Sequence, residues 1–491
     1  MTTPLRPALA AAAALTAALA LTTSASAAPD SVTTASELAK NWEESTVVDL
    51  SVPGVTRTTW IEKNLDNRTR PRILQIVEID PASAPVGLES TIGAGDGVAE
   101  TVAEQLAGAG TSARHPVAGV NGGLFKSEKK HDDHIVAPHT DPADTEPTTL
   151  QHMGVSVTDG VLHSSSCWGG GQGTSGAVIQ YGVPYITKLL TDLTLTAADG
   201  IPVHLDDINR DPGRARGCAR DADDKLVPFE VTTPEKGVYT DPNEIVLFTD
   251  DYKFPVPKPD LDPKVTTEDD PGFEVVLDST GKVTAAREGR GGASPAAQVH
   301  VPSGGRILQG VGTGATWLRD HATVGTKVAV GQKLRDTRLD REITLDPSVD
   351  IVSSFHQLLR DGSIPAELPD TCNATGPGAT AGTTICTDSR VAVGTNVHGR
   401  PVLVTLTGQV QPSNETTHED GAYLHKFAEI LDSEELGLID ALNLDGGGSA
   451  TLMTGATTHT PPTDRVNGEY VHRHVADSVY AGISGYGMYA K

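Results

Sequence analysis

Cysteine and aromatic residues are both scarce in this chain of 491 residues, which holds four Cys and 4% Phe, Trp and Tyr. No C-x-x-C pair occurs, so neither a zinc ribbon nor a redox dithiol is indicated. Positive charge is short as well: 38 Lys and Arg stand against 64 Asp and Glu, a formal net charge of −26. A phosphate backbone is bound by clustered cations that release its counterions, and an anionic membrane surface also attracts cations. Nucleic acid and membrane surfaces are therefore set aside as partners. No stretch stays apolar for the ~20 residues that a helix needs to cross a bilayer. No G-x-S-x-G, Walker or H-E-x-x-H pattern occurs. What remains, 37% hydrophobic and 21% charged residues, supports a large packed core and excludes a fully disordered chain.

At the N-terminus, Arg6 precedes an apolar run, Ala8 to Leu21, broken only by Thr16 and followed by Ala25-Ser26-Ala27-Ala28. This is the pattern of a secretory signal with a small-residue cleavage site. Residues 1–27 read as a removed signal peptide, and the mature protein is expected outside the cell. In an oxidising compartment an even number of Cys favours disulfides. Cys372 and Cys386 bracket a Gly/Thr/Pro segment and favour local closure, which leaves Cys167 with Cys218; three connectivities stay open.

Strand-like runs fall at Ile73 to Ile79, Val117 to Val120, Glu244 to Phe248, Glu274 to Leu277, Val391 to Val393, Val402 to Leu406 and Ile439 to Leu444. Helical spacing marks Val98 to Ala109 and, most clearly, Tyr423 to Leu436. Lys126 to Thr149 and Phe254 to Pro271 are charged and Pro-punctuated, so they read as surface excursions. Strands outnumber helices and the two mix irregularly. The expectation is an α+β protein with a strand-rich mixed sheet. Residues 28–97 are expected to supply N-terminal strands packed on one large catalytic domain, 98–491, with loop insertions.

Three segments carry candidate chemistry. In Asn443-Leu444-Asp445-Gly446-Gly447-Gly448-Ser449, a strand delivers a carboxylate into a glycine turn. Three glycines let backbone N–H groups approach a ligand and form an anion-binding nest, and Ser449 adds a hydroxyl. In Asn121-Gly122-Gly123, a strand ends in a side chain able to donate and accept, although Asn-Gly is also a common hairpin turn. In Asp388-Ser389-Arg390, an Arg entering a strand can grip a phosphate through its planar fork, or simply pair with Asp388. Arg465 and Arg473 are further phosphate-clamp candidates, and His472 and His474 share one face of a strand. His131-Asp132-Asp133-His134 has metal-ligand residue types in a charged loop. Gly169 to Gly173 reads as a flexible turn.

Together these segments resemble the phosphodiester glycosidase family. Asn121 to Phe125 matches its Asn-Gly-Gly-x-Phe element, Arg390 to Gly394 its Arg-x-x-x-Gly element, and Asn443 to Ser449 its hallmark. Weaker likenesses lie at Asn209-Arg210 and at Leu308 to Gly312. Lys126, Lys426 and Asp477 depart from the family's usual residues. The resemblance implies a secreted hydrolase acting where an anomeric carbon meets a phosphodiester oxygen, on a phosphorylated glycan or a glycosyl-phosphodiester small molecule. It implies Asp445, Arg390 and Asn121 as catalytic residues, with Asp445 the key carboxylate. Gly122, Gly123, Gly446, Gly447, Gly448, Ser449, Arg465 and His474 are implied in substrate binding. No cofactor or metal is expected. Two other readings stand beside it: a secreted non-catalytic binder of phosphorylated glycans, and a metal-dependent phosphodiesterase using His131 to His134.

Overall fold

A computed structural model describes residues 37–65, 71–83, 85–111, 115–128, 149–214, 216–228, 237–256, 272–288, 299–368, 388–408, 421–462, 464–466 and 469–483. These residues fall within a single compact unit, Ser36–Lys491. The signal-peptide segment, His131 to His134, Cys372 and Cys386 lie outside them, as do most of the two proline-punctuated excursions.

A seven-stranded antiparallel sheet organises the molecule. Its order is Trp42–Asp49, Val55–Glu62, Arg72–Ile79, Pro401–Gly408, Arg390–Asn396, Leu438–Asn443 and Gln357–Leu359. The strands Arg390–Asn396 and Pro401–Gly408 are buried along their whole length, because both faces of the sheet are covered. That double cover explains near-continuous apolar runs in place of strict alternation. On one face Leu74, Ile76, Ala392, Val404 and Ala441 pack against Phe427, Ile430 and Leu431 of the helix Leu424–Leu431. On the other, Val77, Val393, Leu403 and Leu442 meet Leu88, Val120, Leu452 and Val479 of a five-stranded sheet, and Ala177, Ile179 and Val352 of an eight-stranded one. Each such fully buried Leu or Val contributes roughly 1.5–3 kcal/mol by leaving water.

The five-stranded sheet runs Thr457–Thr458, Leu452–Thr454, Pro116–Asn121, Ser478–Ile483, Val86–Thr91. The chain's later strands thus close onto early ones, and strands from both regions build the central layer too. The N-terminal strands do more than pack on a separate body: Arg72–Ile79 pairs directly with Pro401–Gly408, and Val86–Thr91 with Ser478–Ile483. The eight-stranded sheet centres on the 15-residue strand Val183–Ala197, and another five-stranded sheet carries Ile245–Thr249, Arg306–Gly310 and Phe273–Leu277.

The strand-rich expectation holds. The helical share is smaller than an α+β label implies: among the described residues the α-helices are Glu37–Asn41, Val102–Thr111, Gly312–His321 and Leu424–Leu431. The molecule is mostly β because its two-sided sheets are covered chiefly by other sheets, so few amphipathic helices are needed. Of the possible disulfides, Cys167–Cys218 is formed, with the two Cα atoms 5.7 Å apart.

Candidate active site

The strand Leu438–Asn443 ends beside Arg390–Asn396, with Ala392 opposite Asn443. This register carries Asp445 past the sheet edge into the turn Gly447–Ser449. Burial pushes the Asp445 carboxyl up to about 6; the Ser449 hydroxyl, the Arg473 charge and the Gly446 N–H act against that shift, and Asp388 adds to it. Gly446 N–H donates to Asp445 Oδ1 at 2.9 Å. Gly447 N–H donates to the Ser389 carbonyl at 2.9 Å. These two donors are committed inside the turn, which is why the glycines act less as an anion nest than expected. They act instead through close approach. A Cβ at Gly448 would stand 2.2 Å from Arg473 Nη2, and Gly447 has φ +58° with Asp388 Oδ2 2.8 Å from its Cβ position.

Two guanidiniums flank the turn. Arg390, 7% exposed, donates through Nε to the Ala422 carbonyl at 2.7 Å. Its Nη1 lies 3.5 Å from the Cβ position of Gly446. Arg473 is fixed by a bidentate pair with Asp464, 2.8 Å on both arms, and its charge reaches Asp445. Arg473 is therefore placed at the site. The Arg465 side chain lies outside the described residues. His474 reaches the helix Val102–Thr111, with Nε2 3.8 Å from Glu104.

Asn121 ends its strand fully buried, and both ends of its amide are engaged by backbone. Nδ2 donates to the Asp445 carbonyl at 2.8 Å, and Oδ1 accepts from Thr451 N–H at 3.1 Å. Its geometry is that of a brace for the Asp445 turn rather than of a group open to substrate. The next residues continue the brace. Asp445 N–H donates to the Gly122 carbonyl at 3.0 Å, and Gly122 N–H to the Asp477 carbonyl at 2.8 Å. Gly123 N–H donates to Asp477 Oδ1 at 2.8 Å. A Cβ at Gly122 would come within 2.2 Å of that same oxygen, so a side chain is excluded there.

Asp477 opens onto a buried polar chain. His152 lies between two carboxylates, with Nε2 3.4 Å from Asp96 and Nδ1 3.6 Å from Asp477. Burial opposes its protonation, yet the Asp96 and Asp477 carboxylates win and raise its pKa. Asn209 Nδ2 donates to Asp96 Oδ2 at 2.5 Å. Beside them His163, 3% exposed, finds no hydrogen-bond partner for either ring nitrogen among the described residues. A cavity of about 10 Å³ adjoins it, the size that admits one water. Arg210, by contrast, is a structural cation, paired with Asp207 at 2.8 Å and with Glu244. Among the described residues, His204, Asp206 and Asp221 hold ligand-type atoms within 4.8 Å of one another.

Asp388, His152 and Asp477 are the participants that sequence reasoning passed over as site residues. In the sequence Asp388 reads only as a partner for Arg390, and Asp477 only as a departure from the family's usual residues. No local pattern surrounds His152; only the tertiary meeting of three distant segments reveals it.

A half-buried acid thus stands on a glycine turn flanked by two arginines, an arrangement able to hold an anionic group. Residues 272–481 match the phosphodiester glycosidase family, so the resemblance carried by the sequence is borne out. The match includes Arg390, Asp445 and Arg473 but not Asn121. The chain is similar to N-acetylglucosamine-1-phosphodiester alpha-N-acetylglucosaminidase of Bos taurus, 30% identical over 174 residues, covering 34% of this chain and 29% of that protein. To the Homo sapiens enzyme of the same name it is 32% identical over 126 residues, 25% of this chain and 22% of that one. The chain thus spans less than a third of these curated relatives. Among solved structures, a Burkholderia pseudomallei protein aligns with TM-score 0.63 and 23% identity over 84% of this chain and 74% of its own. A Synechocystis protein aligns with TM-score 0.57 and 16% identity, over 88% of this chain and 62% of its own. These two establish a shared fold. No described helix is long and apolar enough to cross a membrane.

Proposed function

We propose that this protein is an exported hydrolase that cleaves glycosyl-1-phosphodiesters between the anomeric carbon and the phosphate oxygen. The observation that carries the reading is the Asp445 carboxyl, raised by burial to about 6, on a turn flanked by Arg390 and Arg473. A phosphodiester oxygen leaves as a weakly basic phosphate, so protonating it matters less than in ordinary glycosides. The site must instead hold the anion, stabilise an oxocarbenium-like centre and place a water.

Arg390 and Arg473 hold the phosphate by charge-assisted bonds. Asp445, ionised, faces the developing positive centre and accepts the proton of the incoming water. Burial, with a smaller push from the Asp388 charge, holds the Asp445 proton affinity up. Asn121 acts as a positioning residue through the Asp445 and Thr451 backbone. The relatives named for N-acetylglucosamine-1-phosphodiester make that sugar the first to try. The test is turnover of the methyl diester of N-acetylglucosamine-1-phosphate by the purified mature chain. Wild type releases free sugar and methyl phosphate; Asp445→Asn, still folded, does not. Equal turnover by both would remove the assignment.

A further inference from the structure

The strand Pro202–His204 ends in a cluster that the proposed reaction does not use. His204 stands opposite Thr194 of the long strand Val183–Ala197. The next residue, Leu205, is fully buried in the core. Alternation along extended chain therefore sends its neighbours His204 and Asp206 to the opposite face together. Asp221 reaches the same place from a separate loop, shortly after Cys218, which the disulfide ties to Cys167. One ligand-type atom from each of His204, Asp206 and Asp221 lies within 4.8 Å of the other two.

The acids around this cluster are balanced by arginines, and the two inside it are not. Asp207 pairs with Arg210 and Arg220, Glu244 with Arg210 and Arg216, and Asp224 with Arg216. Among the described residues no Arg or Lys forms an ion pair with Asp206 or Asp221. The imidazole of His204 stands nearest, with Nε2 3.4 Å from Asp221 Oδ2. Asp206 is 8% exposed. Its Oδ2 accepts from Ile245 N–H at 2.7 Å, and no N–H or hydroxyl among the described residues donates to its Oδ1. Its carboxyl is within hydrogen-bonding reach of the Asp221 carboxyl, and the charges of Glu244 and Asp241 bear on it as well. A buried carboxylate facing a second one needs a cation or a shared proton between them. A His204–Asp221 ion pair alone leaves Asp206 uncompensated.

Donor set and spacing select the cation. Asp221 Oδ1 is held by the N–H groups of Asp223 and Asp224, at 2.7 and 3.2 Å. Backbone thus engages one oxygen of each carboxyl and leaves the other for a ligand. Zn²⁺ bonds of about 2.0–2.1 Å, arranged tetrahedrally, set ligand atoms about 3.3–3.4 Å apart. The His204–Asp221 separation matches that edge and is long for a hydrogen bond. Ca²⁺ takes six to eight oxygens and Mg²⁺ an octahedral shell, which one imidazole and two single oxygens do not supply. The His204 side chain is 46% exposed, so a fourth position opens to water.

We infer that His204, Asp206 and Asp221 bind one Zn²⁺ ion, with water as the fourth ligand. Two carboxylates and a neutral imidazole balance the charge of the ion. Bound there, it fastens the loop that follows the disulfide to the strand Pro202–His204. The inference does not rest on the proposed reaction.

The purified mature chain, stripped with chelator and dialysed, tests it. Calorimetric titration with Zn²⁺ alone should give one site with a Kd of about 1 µM or tighter, and millimolar Ca²⁺ or Mg²⁺ should not compete. His204→Ala and Asp221→Asn, at partly exposed positions, should keep the wild-type circular dichroism and lose at least about a hundredfold in Zn²⁺ affinity. Asp192→Asn removes an acid whose charge also bears on His204; a change of less than about threefold there separates ligation from general attraction. Replacing His131 and His134 by Ala should leave binding intact. Absence of binding, or binding that His204→Ala leaves unchanged, overturns the inference. A second measurement needs no variant: diffraction at the zinc absorption edge from Zn²⁺-loaded wild-type crystals should place an anomalous peak among the three side chains. Peaks only elsewhere, or none, would overturn it as well.

Discussion

Asp445→Asn separates chemistry from folding, because the two respond to it in opposite directions. The carboxyl is pushed up to about 6 by burial, about two pKa units above the ~4 of an unfolded Asp. Each unit corresponds to ~1.4 kcal/mol, so ionising it costs the folded state up to about 3 kcal/mol. The folded chain binds this proton more tightly than the unfolded chain does. Stability contributed by the group is therefore fully present below about pH 4 and is lost as pH rises through about 6. Asparagine is neutral throughout, and its Oδ1 can still accept the Gly446 N–H that now reaches Asp445 at 2.9 Å. The variant should match wild type near pH 4 and exceed it at pH 8 by up to about 3 kcal/mol. Turnover should fall by about a thousandfold or more. Urea unfolding at the two pH values, run beside the diester assay, measures both. A variant that is less stable than wild type at pH 8, or one that keeps wild-type turnover, would refute the reasoning.

Arg473→Gln removes a charge that lowers the Asp445 pKa, so the acid limb of the kcat/KM profile should move to higher pH by roughly one unit; an unmoved limb would detach Arg473 from the site. Gly122→Ala brings a Cβ within 2.2 Å of Asp477 Oδ1, and denaturation should report a loss of about 1–3 kcal/mol with a matching drop in activity; a silent substitution would show that the brace is dispensable. Replacing Cys167 and Cys218, 51 residues apart in sequence, by Ser should cost about 2–4 kcal/mol in unfolding experiments. Unchanged stability would mean that the bond does not form in solution.

The apolar runs at Ile73 to Ile79, Val391 to Val393, Val402 to Leu406 and Ile439 to Leu444 were legible because double-sided burial writes itself into local composition. Arg72–Ile79, Arg390–Asn396, Pro401–Gly408 and Leu438–Asn443 are those strands. The pairing of Arg72–Ile79 with Pro401–Gly408 was not legible, since strands more than 300 residues apart in sequence leave no local mark of their partnership. The 15-residue strand Val183–Ala197 went unmarked; Thr and Lys punctuate it, and its half-buried positions dilute the apolar signal. The hallmark around Asp445 was legible because glycine runs are forced by close approach. The uses of Asn121, Asp388 and Asp477 were not, because the same residue types serve equally as brace, turn former or acid. Their partners decide, and those come from other segments.

The central claim concerns which bond breaks, and hydrolysis of a glycosyl-1-phosphodiester in heavy-oxygen water answers it directly. Mass spectrometry of the products should find the heavy atom on the anomeric hydroxyl of the released sugar, with the phosphate unlabelled. Label in the phosphate would place attack at phosphorus and contradict the role given to Asp445.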